Sequence, residues 1–318
     1  MPTPDPIDRF RRDFLALAGE PERIGLAVSG GPDSLALLIL AHRAFPGCIE
    51  AATVDHRLRP ANAAEAALVA SLCAKLRTPH ATLSDPGATI AGASAQARAR
   101  GLRYRLLRAW AAERGLTRLV TAHHADDQAE TVLMRLARGA GVAGLAGIRA
   151  RREEERLLVL RPLLGWRRAE LAEIVREAGH EAVDDPSNRS HAFDRTRFRA
   201  LLDRTDLLAP DRLAAAAAHL ADAEQALAWA AEREWSARAR CAEDAIELDA
   251  ADLPREIQRR LAVRAVSTVS GSCDWRVDAL GAAVLAALAS GARVNLAGVS
   301  ISGGASWRFE PEPPRRSR

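Results

Sequence analysis

Lysine is almost missing from this chain: Lys75 is the sole one among 45 basic residues of 318, and all the others are arginine. Arginine suits bidentate contacts to phosphate and stacking on bases, although GC-rich codon usage produces the same bias and accounts for most of it. Cysteine is also scarce. Cys48, Cys73, Cys241 and Cys273 are widely spaced and form no Cys-x-x-Cys pair, so a disulfide framework, a zinc ribbon and an iron–sulfur site are unsupported, and a reducing cytoplasm is expected. No apolar run approaches a membrane-spanning length, which gives no membrane partner. The Arg11-Arg12 pair is followed by only Leu15 to Ala18 before Gly19, Glu20 and Pro21 interrupt. It reads as an amphipathic first helix over residues 7–18, not as a twin-arginine export signal. The one glycine-rich turn after a strand, finally, has no lysine, so it is not a Walker A loop.

What is present fits a soluble globular protein. The apolar share is 48% and the charged share 27%, and the length allows one good-sized core plus a smaller second domain. A net charge of +4 with a pI near 9.3 favours a polyanionic partner without proving one.

The chain is organised around Leu26-Ala27-Val28-Ser29-Gly30-Gly31-Pro32-Asp33-Ser34-Leu35. Apolar residues end in a Ser-Gly-Gly-Pro-Asp-Ser turn and resume at helical spacing, so the segment predicts strand, phosphate loop and helix. Gly30 and Gly31 tolerate positive φ and let an anion approach backbone N–H groups, and Pro32 suits a first helical turn. The positive end of the helix dipole then faces the anion. Ser29 and Ser34 add hydroxyl donors. Asp33 repels phosphate and is assigned to a Mg2+ that bridges phosphates. The alternative is a glycine-rich βα turn capped by Asp33.

A second strand, residues 49–54, ends at Asp55-His56, and its carboxyl end near Val54 is expected to face the loop and frame an adenine. A helix over residues 94–110 carries Arg100, Arg103 and Tyr104 within one turn, a patch for phosphate or a splayed base, or simply a solvated basic face. Leu119 to Ala122 reads as a strand, and His123-His124-Ala125-Asp126-Asp127-Gln128-Ala129-Glu130 opens a helix. Asp127 and Glu130, three apart, share a face and can hold a cationic amine or Mg2+. Neutral His123 can help take a proton from an attacking amine. Helix capping also explains acids in a first turn, but not the paired histidines. Arg149 to Arg156 reads as an exposed hairpin or loop, and Arg195 and Arg199 lie on a basic helix. An alanine-rich helix over residues 213–239 follows. Residues from 245 onward read as a small α+β module, with a strand over residues 292–299 and a basic tail.

The phosphate loop resembles that of the PP-loop ATP pyrophosphatases, which cleave ATP between its α and β phosphates and adenylate a carbonyl oxygen. Within that superfamily four further segments resemble the tRNA(Ile)-lysidine synthases: Val54-Asp55-His56-Arg57-Leu58-Arg59, Ala99-Arg100-Gly101-Leu102-Arg103-Tyr104, the run from His123 through Arg138-Gly139-Ala140-Gly141 to Leu145, and Arg161-Pro162-Leu163 with Asp185-Pro186-Ser187-Asn188. The likeness covers residues 24–199, with Thr196 standing where the pattern has asparagine. It implies an α/β fold of the PP-loop adenine-nucleotide type: a doubly wound parallel sheet in a catalytic domain over residues 1–205, a helical linker at 206–240 and a small tRNA-contacting α+β domain at 241–318. It implies MgATP on residues 29–34, L-lysine on Asp127 and Glu130, and tRNA on Arg100, Arg103, Arg195 and Arg199. Arg103 and Arg195 then stabilise an adenylated intermediate or an RNA phosphate, in a ligation of lysine to C2 of the wobble cytidine of a CAU-anticodon tRNA(Ile). A homo-oligomer stays open.

Three other readings share parts of this pattern. A PP-loop tRNA thiolase would share the adenylation but needs suitably placed cysteines. A non-catalytic RNA-binding protein would use the arginines over a relic nucleotide fold. A small-molecule amidotransferase-type ligase would need a glutaminase-like domain or an initial nucleophilic cysteine.

Overall fold

The computed structural model describes residues 5–55, 60–85, 87, 95–180, 194–242, 244–250, 252–271, 277–304 and 306–313. The His56–Arg59 end of the second-strand motif, the Asp185–Asn188 turn, Cys273 and the last residues of the basic tail lie outside them. The chain forms two compact units, residues 1–138 with 145–218 and residues 139–144 with 219–318.

The first unit is built on a six-stranded sheet. Its strands are β1 (Ile24–Ala27), β2 (Ile49–Val54), β3 (His80–Leu83), β4 (Arg118–Val120), β5 (Arg151–Glu154) and β6 (Leu157–Leu160), in the order β3-β2-β1-β4-β6-β5. All neighbours run parallel except the edge pair β5–β6, which is the hairpin expected around Arg149 to Arg156. Strand alternation sends successive side chains to opposite faces. Ile24, Leu26, Val120 and Leu160 face one cluster with α1 (Pro6–Ala18), α2 (Pro32–Ala44), α3 (Pro60–Lys75) and α7 (Arg168–Glu177). Leu119, Leu157 and Val159 face the other, against α4 (Ala95–Glu113). Both faces are covered, as parallel strands require.

The first helix is amphipathic as expected. Asp5 caps it by accepting from the Ile7 N–H at 2.8 Å, and Phe10 and Phe14 are fully buried beside Phe45. Helix α2 is buried along almost its whole length, which explains its unbroken apolar run. Chain order places the ligand edge: β1 leads to β2 on one side, while β4 lies on its other side, so β1 and β4 are the strands that flank the switch point. Whatever follows these two strands meets at one edge.

The second unit has helices α10 (Arg255–Ser270) and α11 (Val277–Ser290) packed on a five-stranded antiparallel sheet. Its order is β7 (Ala239–Cys241), β8 (Ile246–Leu248), β11 (Trp307–Pro311), β10 (Val299–Ser302), β9 (Val294–Leu296). The single strand expected over residues 292–299 is two. Ala297 (φ 60°) and Gly298 (φ 75°) are both left-handed, the geometry of a two-residue hairpin turn. The long helix, α9 (Pro210–Arg238), stops one residue before the expected end because Ala239 begins β7.

Gly25 on β1 is a packing requirement. A Cβ there would lie 2.9 Å from the Trp110 ring and 3.1 Å from Leu116, so the indole of α4 rests on bare backbone. Gly25→Ala is expected to lower stability by about 1–3 kcal/mol, the usual cost of overpacking a close-packed core. A urea midpoint equal to that of the unmodified chain would contradict this packing.

Candidate nucleotide and amine site

The segments after β1 and β4 build the site. After β1, Gly30 takes φ 91°, Gly31 is the N-cap of α2 and Pro32 its first residue. A side chain at Gly30 would be strained by that φ and would press within 3.3 Å of the Glu65 backbone. Ser34 turns back into the loop: its Oγ accepts from Ser29 N at 3.1 Å, donates to Gly31 O at 2.9 Å and lies 3.2 Å from Ser29 Oγ. Both hydroxyls therefore line the loop where the sequence placed them. Val54, at the end of β2, lies at this same edge through the pairing of Ala27 with Ala52.

After β4, His124 is the N-cap of α5 (Ala125–Leu136). Its backbone N–H donates to Asp127 Oδ2 at 3.2 Å, so Asp127 does cap the helix, as the alternative reading had it. The His124 ring, 1% exposed, sits among three carboxylates. Nε2 lies 3.3 Å from Asp33 Oδ2 and 3.5 Å from Asp127 Oδ2, and Nδ1 lies 3.6 Å from Asp126 Oδ2. Burial alone would drive its pKa down, but Asp126, Asp33 and Asp127 outweigh it and raise the value to about 9. The ring is an imidazolium at neutral pH, so the 3.4 Å approach of Asp127 N to Nδ1 is a contact and not a hydrogen bond. Against the cost of burial, His124 holds both Asp126 and Asp127 below the usual carboxylate range, helped at Asp126 by the Arg168 N–H and Arg167 and at Asp127 by Arg195. His124 thus ties the phosphate loop to the acid pair.

His123 behaves oppositely. Burial, with Arg161, Arg100 and Arg195 nearby, holds it down to about 4 against the pull of Asp127, so it is neutral. Its Nδ1 is engaged with Thr121 Oγ1 at 2.9 Å, which leaves Nε2 as the free ring nitrogen.

Glu130 is 1% exposed and surrounded by guanidinium groups. Arg199 Nε donates to its Oε1 at 2.7 Å, Arg195 Nε lies 3.0 Å from its Oε2, and an Arg168 nitrogen lies 3.5 Å from Oε1. Arg195 also approaches Asp127 at 3.9 Å. Arg195 and Arg199, four apart on α8 (Asp194–Leu202), present one face to α5. Arg100 stacks over Tyr104 at 5.2 Å on α4 and contributes to the field at His123. Arg103 is exposed on the same turn, and among the described residues no hydrogen bond or ion pair ties it to the carboxylates.

Several residues of the site escaped the sequence. Arg167 contacts both Asp126 oxygens at 3.3 Å, and the Arg168 N–H donates to Asp126 at 2.8 Å. Arg161, 3% exposed, donates to Arg149 O at 2.7 Å and leaves Nε without a partner. No local pattern marks Arg167 and Arg168, because their partner Asp126 is some 40 residues away in sequence, whereas Arg161 stands in the Arg-Pro-Leu segment already noted and only its backbone-carbonyl partner went unread. His124 was visible only as half of a histidine pair.

Among the described residues no group of three or more His, Cys, Asp and Glu is arranged to hold a metal by itself. Asp33 Oδ1, however, is buried at the loop with no hydrogen-bond partner. One orphan carboxylate oxygen fits a Mg2+ held chiefly by substrate phosphates and water. Cys48 and Cys73 are badly placed for sulfur chemistry. Cys48 lies at the opposite end of the sheet, where its carbonyl accepts from Ile24 N, and Cys73 is sealed in the core with its thiol pushed up to about 11 by burial.

Residues 7–205 match the model of a PP-loop domain family. The chain is 46% identical over 299 residues to a tRNA(Ile)-lysidine synthase of Zymomonas mobilis, covering 92% of this chain and 90% of that one. It is 47% identical over 317 residues to one of Novosphingobium aromaticivorans, covering 97% and 94%. Among solved structures it is similar to the U34-tRNA thiolase NcsA of Methanococcus maripaludis, with a TM-score of 0.53 over 67% of this chain and 76% of that one. At 16% identity this likeness speaks for the fold alone.

The His124 charge has a measurable sign. Its pKa in the folded chain lies above the ordinary 6.5, so its contribution to stability is complete below that pH and is lost as pH rises through about 9. The shift corresponds to about 3 kcal/mol. Urea unfolding of the metal-free protein is expected to show stability falling between about pH 7 and pH 10, with His124→Gln flat across the same window. A parallel fall in the variant would assign the loss to other groups.

Proposed function

The chain belongs to the PP-loop family and, within it, to the tRNA(Ile)-lysidine synthases, and on that premise we propose that it ligates L-lysine to C2 of the wobble cytidine in a CAU-anticodon tRNA(Ile) at the expense of ATP. The observation that carries this reading is that the phosphate loop and the acid pair meet where His124 contacts Asp33 and Asp127, which supports adenylation and amine delivery in one site. The carbonyl oxygen at C2 is a poor leaving group. Its attack on the α-phosphorus of ATP, with departure of pyrophosphate, converts it to an adenylate; lysine's amine then attacks C2 and AMP leaves with that oxygen.

The chain's residues divide this work. The backbone of Gly30 and Gly31, the N-terminus of α2 and the Ser29 and Ser34 hydroxyls bind the phosphates, with Val54 beside the adenine. Mg2+ held through Asp33 would neutralise phosphate charge there. Asp127 and Glu130 hold the lysine, and His123 Nε2, neutral and free, accepts the proton released as the amine adds. A ring of such low basicity becomes a better acceptor once the polyanionic substrate is beside it. Arg103 and Arg195 stabilise the adenylate, while Arg100 and Arg199 contact RNA phosphate. Residues 1–205 form the catalytic domain, 206–240 the helical linker and 241–318 the tRNA-contacting domain. The cytoplasm is its compartment, consistent with the sparse cysteines and with no described helix long and apolar enough to cross a membrane.

Incorporation of labelled lysine into a CAU-anticodon tRNA(Ile) transcript with MgATP tests this, with a methionine tRNA as control. Label restricted to the isoleucine tRNA is expected, and Asp127→Asn is expected to lower kcat/KM for lysine roughly a hundredfold. Full incorporation by that variant would remove Asp127 from the lysine site.

A further inference from the structure

Four charged side chains are buried among the described residues, Glu50, His124, Glu130 and Arg161, and the first three each face charges of opposite sign. Arg161 does not. Its Nη1 donates to a neutral acceptor, Arg149 O, and its Nε, also buried, has no partner. A buried guanidinium without a counter-charge costs stability, and a side chain kept at such a cost points to function. Arg161 directly follows β6, and its N–H donates to Ala150 O at 2.9 Å, which extends the β5–β6 ladder by one residue. Leu157 and Val159 face α4, and strand alternation carries Arg161 to the same face. Next to it, Thr121 N donates to Leu160 O at 3.0 Å, and Thr121 Oγ1 meets His123 Nδ1. Arg161 therefore stands at the ligand edge of the sheet, close enough for its charge to act on His123. Its orientation is built in. The Gln128 amide grips Ile148 in both directions, at 3.0 and 2.6 Å, and Arg135 Nη1 donates to Gly147 O at 2.9 Å. These bonds fix the segment whose Arg149 carbonyl aims the guanidinium.

We infer that Arg161 is a further phosphate-binding residue of this site, its guanidinium taking a phosphate group of the substrates beside His123. The inference rests on the adenylation of RNA proposed above and adds a residue that receives one of its anions. The carboxylates nearby are already engaged: Asp33, Asp126 and Asp127 surround His124, and Glu130 meets Arg195, Arg199 and Arg168. The counter-charge for Arg161 then comes from a ligand. Both substrates bring one, as the diester next to the reacting base or as a phosphate of ATP. With Nη1 taken by Arg149 O, the Nε edge of the planar group is the side left for a phosphate.

Two variants of the full chain test this. Arg161→Gln removes the charge and keeps an amide donor, while Arg161→Lys keeps the charge. Each is measured for MgATP affinity without RNA and for affinity to the CAU-anticodon tRNA(Ile) over a range of salt, with thermal melts of the ligand-free protein. The glutamine variant is expected to melt within about 4 °C of the unmodified chain and to lose about tenfold in at least one affinity, as for a lost charge-assisted contact. The lysine variant is expected to recover most of that loss. Weaker tRNA binding with a salt slope shallower by about one puts the phosphate on the RNA. Weaker ATP binding with that slope unmoved puts it on the nucleotide. Both affinities within twofold of the unmodified chain, equal losses in the two variants, or a glutamine variant that melts lower than expected, as a purely structural clamp on Arg149 O would give, would overturn the assignment. An unmodified chain that binds neither ligand overturns the functional reading itself, and this site with it.

Discussion

A single buried imidazolium holds the two halves of the site together. His124 places one positive charge among Asp33, Asp126 and Asp127, each within 3.6 Å. Three carboxylates that close would repel one another strongly in a partly dry environment. With the ring charged, Asp33 stays at the start of α2, Asp127 stays across the N-terminus of α5, and Asp126 stays aimed at the backbone N–H of Arg168. One proton thereby sets the relative position of three helix N-termini.

The topology makes this economical. In a doubly wound sheet the strands on either side of the switch point release their chains at the same edge. The phosphate loop follows β1 and the His-His segment follows β4, and those strands are hydrogen-bonded neighbours. No long loop is needed to bring an anion-binding turn and an acid pair together. Both stand on buried helices and strands, which suits a site whose reacting groups must be held to fractions of an ångström.

How much was legible in the sequence follows from how local each interaction is. The phosphate loop could be read because its glycines, proline and serines are contiguous and shape one another's backbone and hydroxyl contacts within six residues. The shared face of Asp127 and Glu130 could be read because helical spacing fixes it. Capping and an arginine contact are combined at Asp127, which caps α5 and meets Arg195. The ring of carboxylates around His124 could not be read, since Asp33 comes from a different strand–helix unit. Arg167 and Arg168 stayed hidden for the same reason, while Arg161 was legible only as part of the Arg-Pro-Leu segment. In the second unit, the hairpin at Ala297–Gly298 was passed over because a glycine after alanine inside an apolar stretch gives a weak turn signal, and only the backbone shows both residues left-handed.

In the reaction we propose, one site first adenylates the RNA and then delivers the amine. ATP labelled at its α-phosphorus, mixed with the chain and the CAU-anticodon tRNA(Ile) in the absence of lysine, tests it most directly. Label is expected to become attached to the tRNA with stoichiometric pyrophosphate release, and added lysine to chase it into free AMP as the amino acid joins the RNA. Label that appears on lysine instead, or that reaches no acceptor until lysine is present, would contradict it.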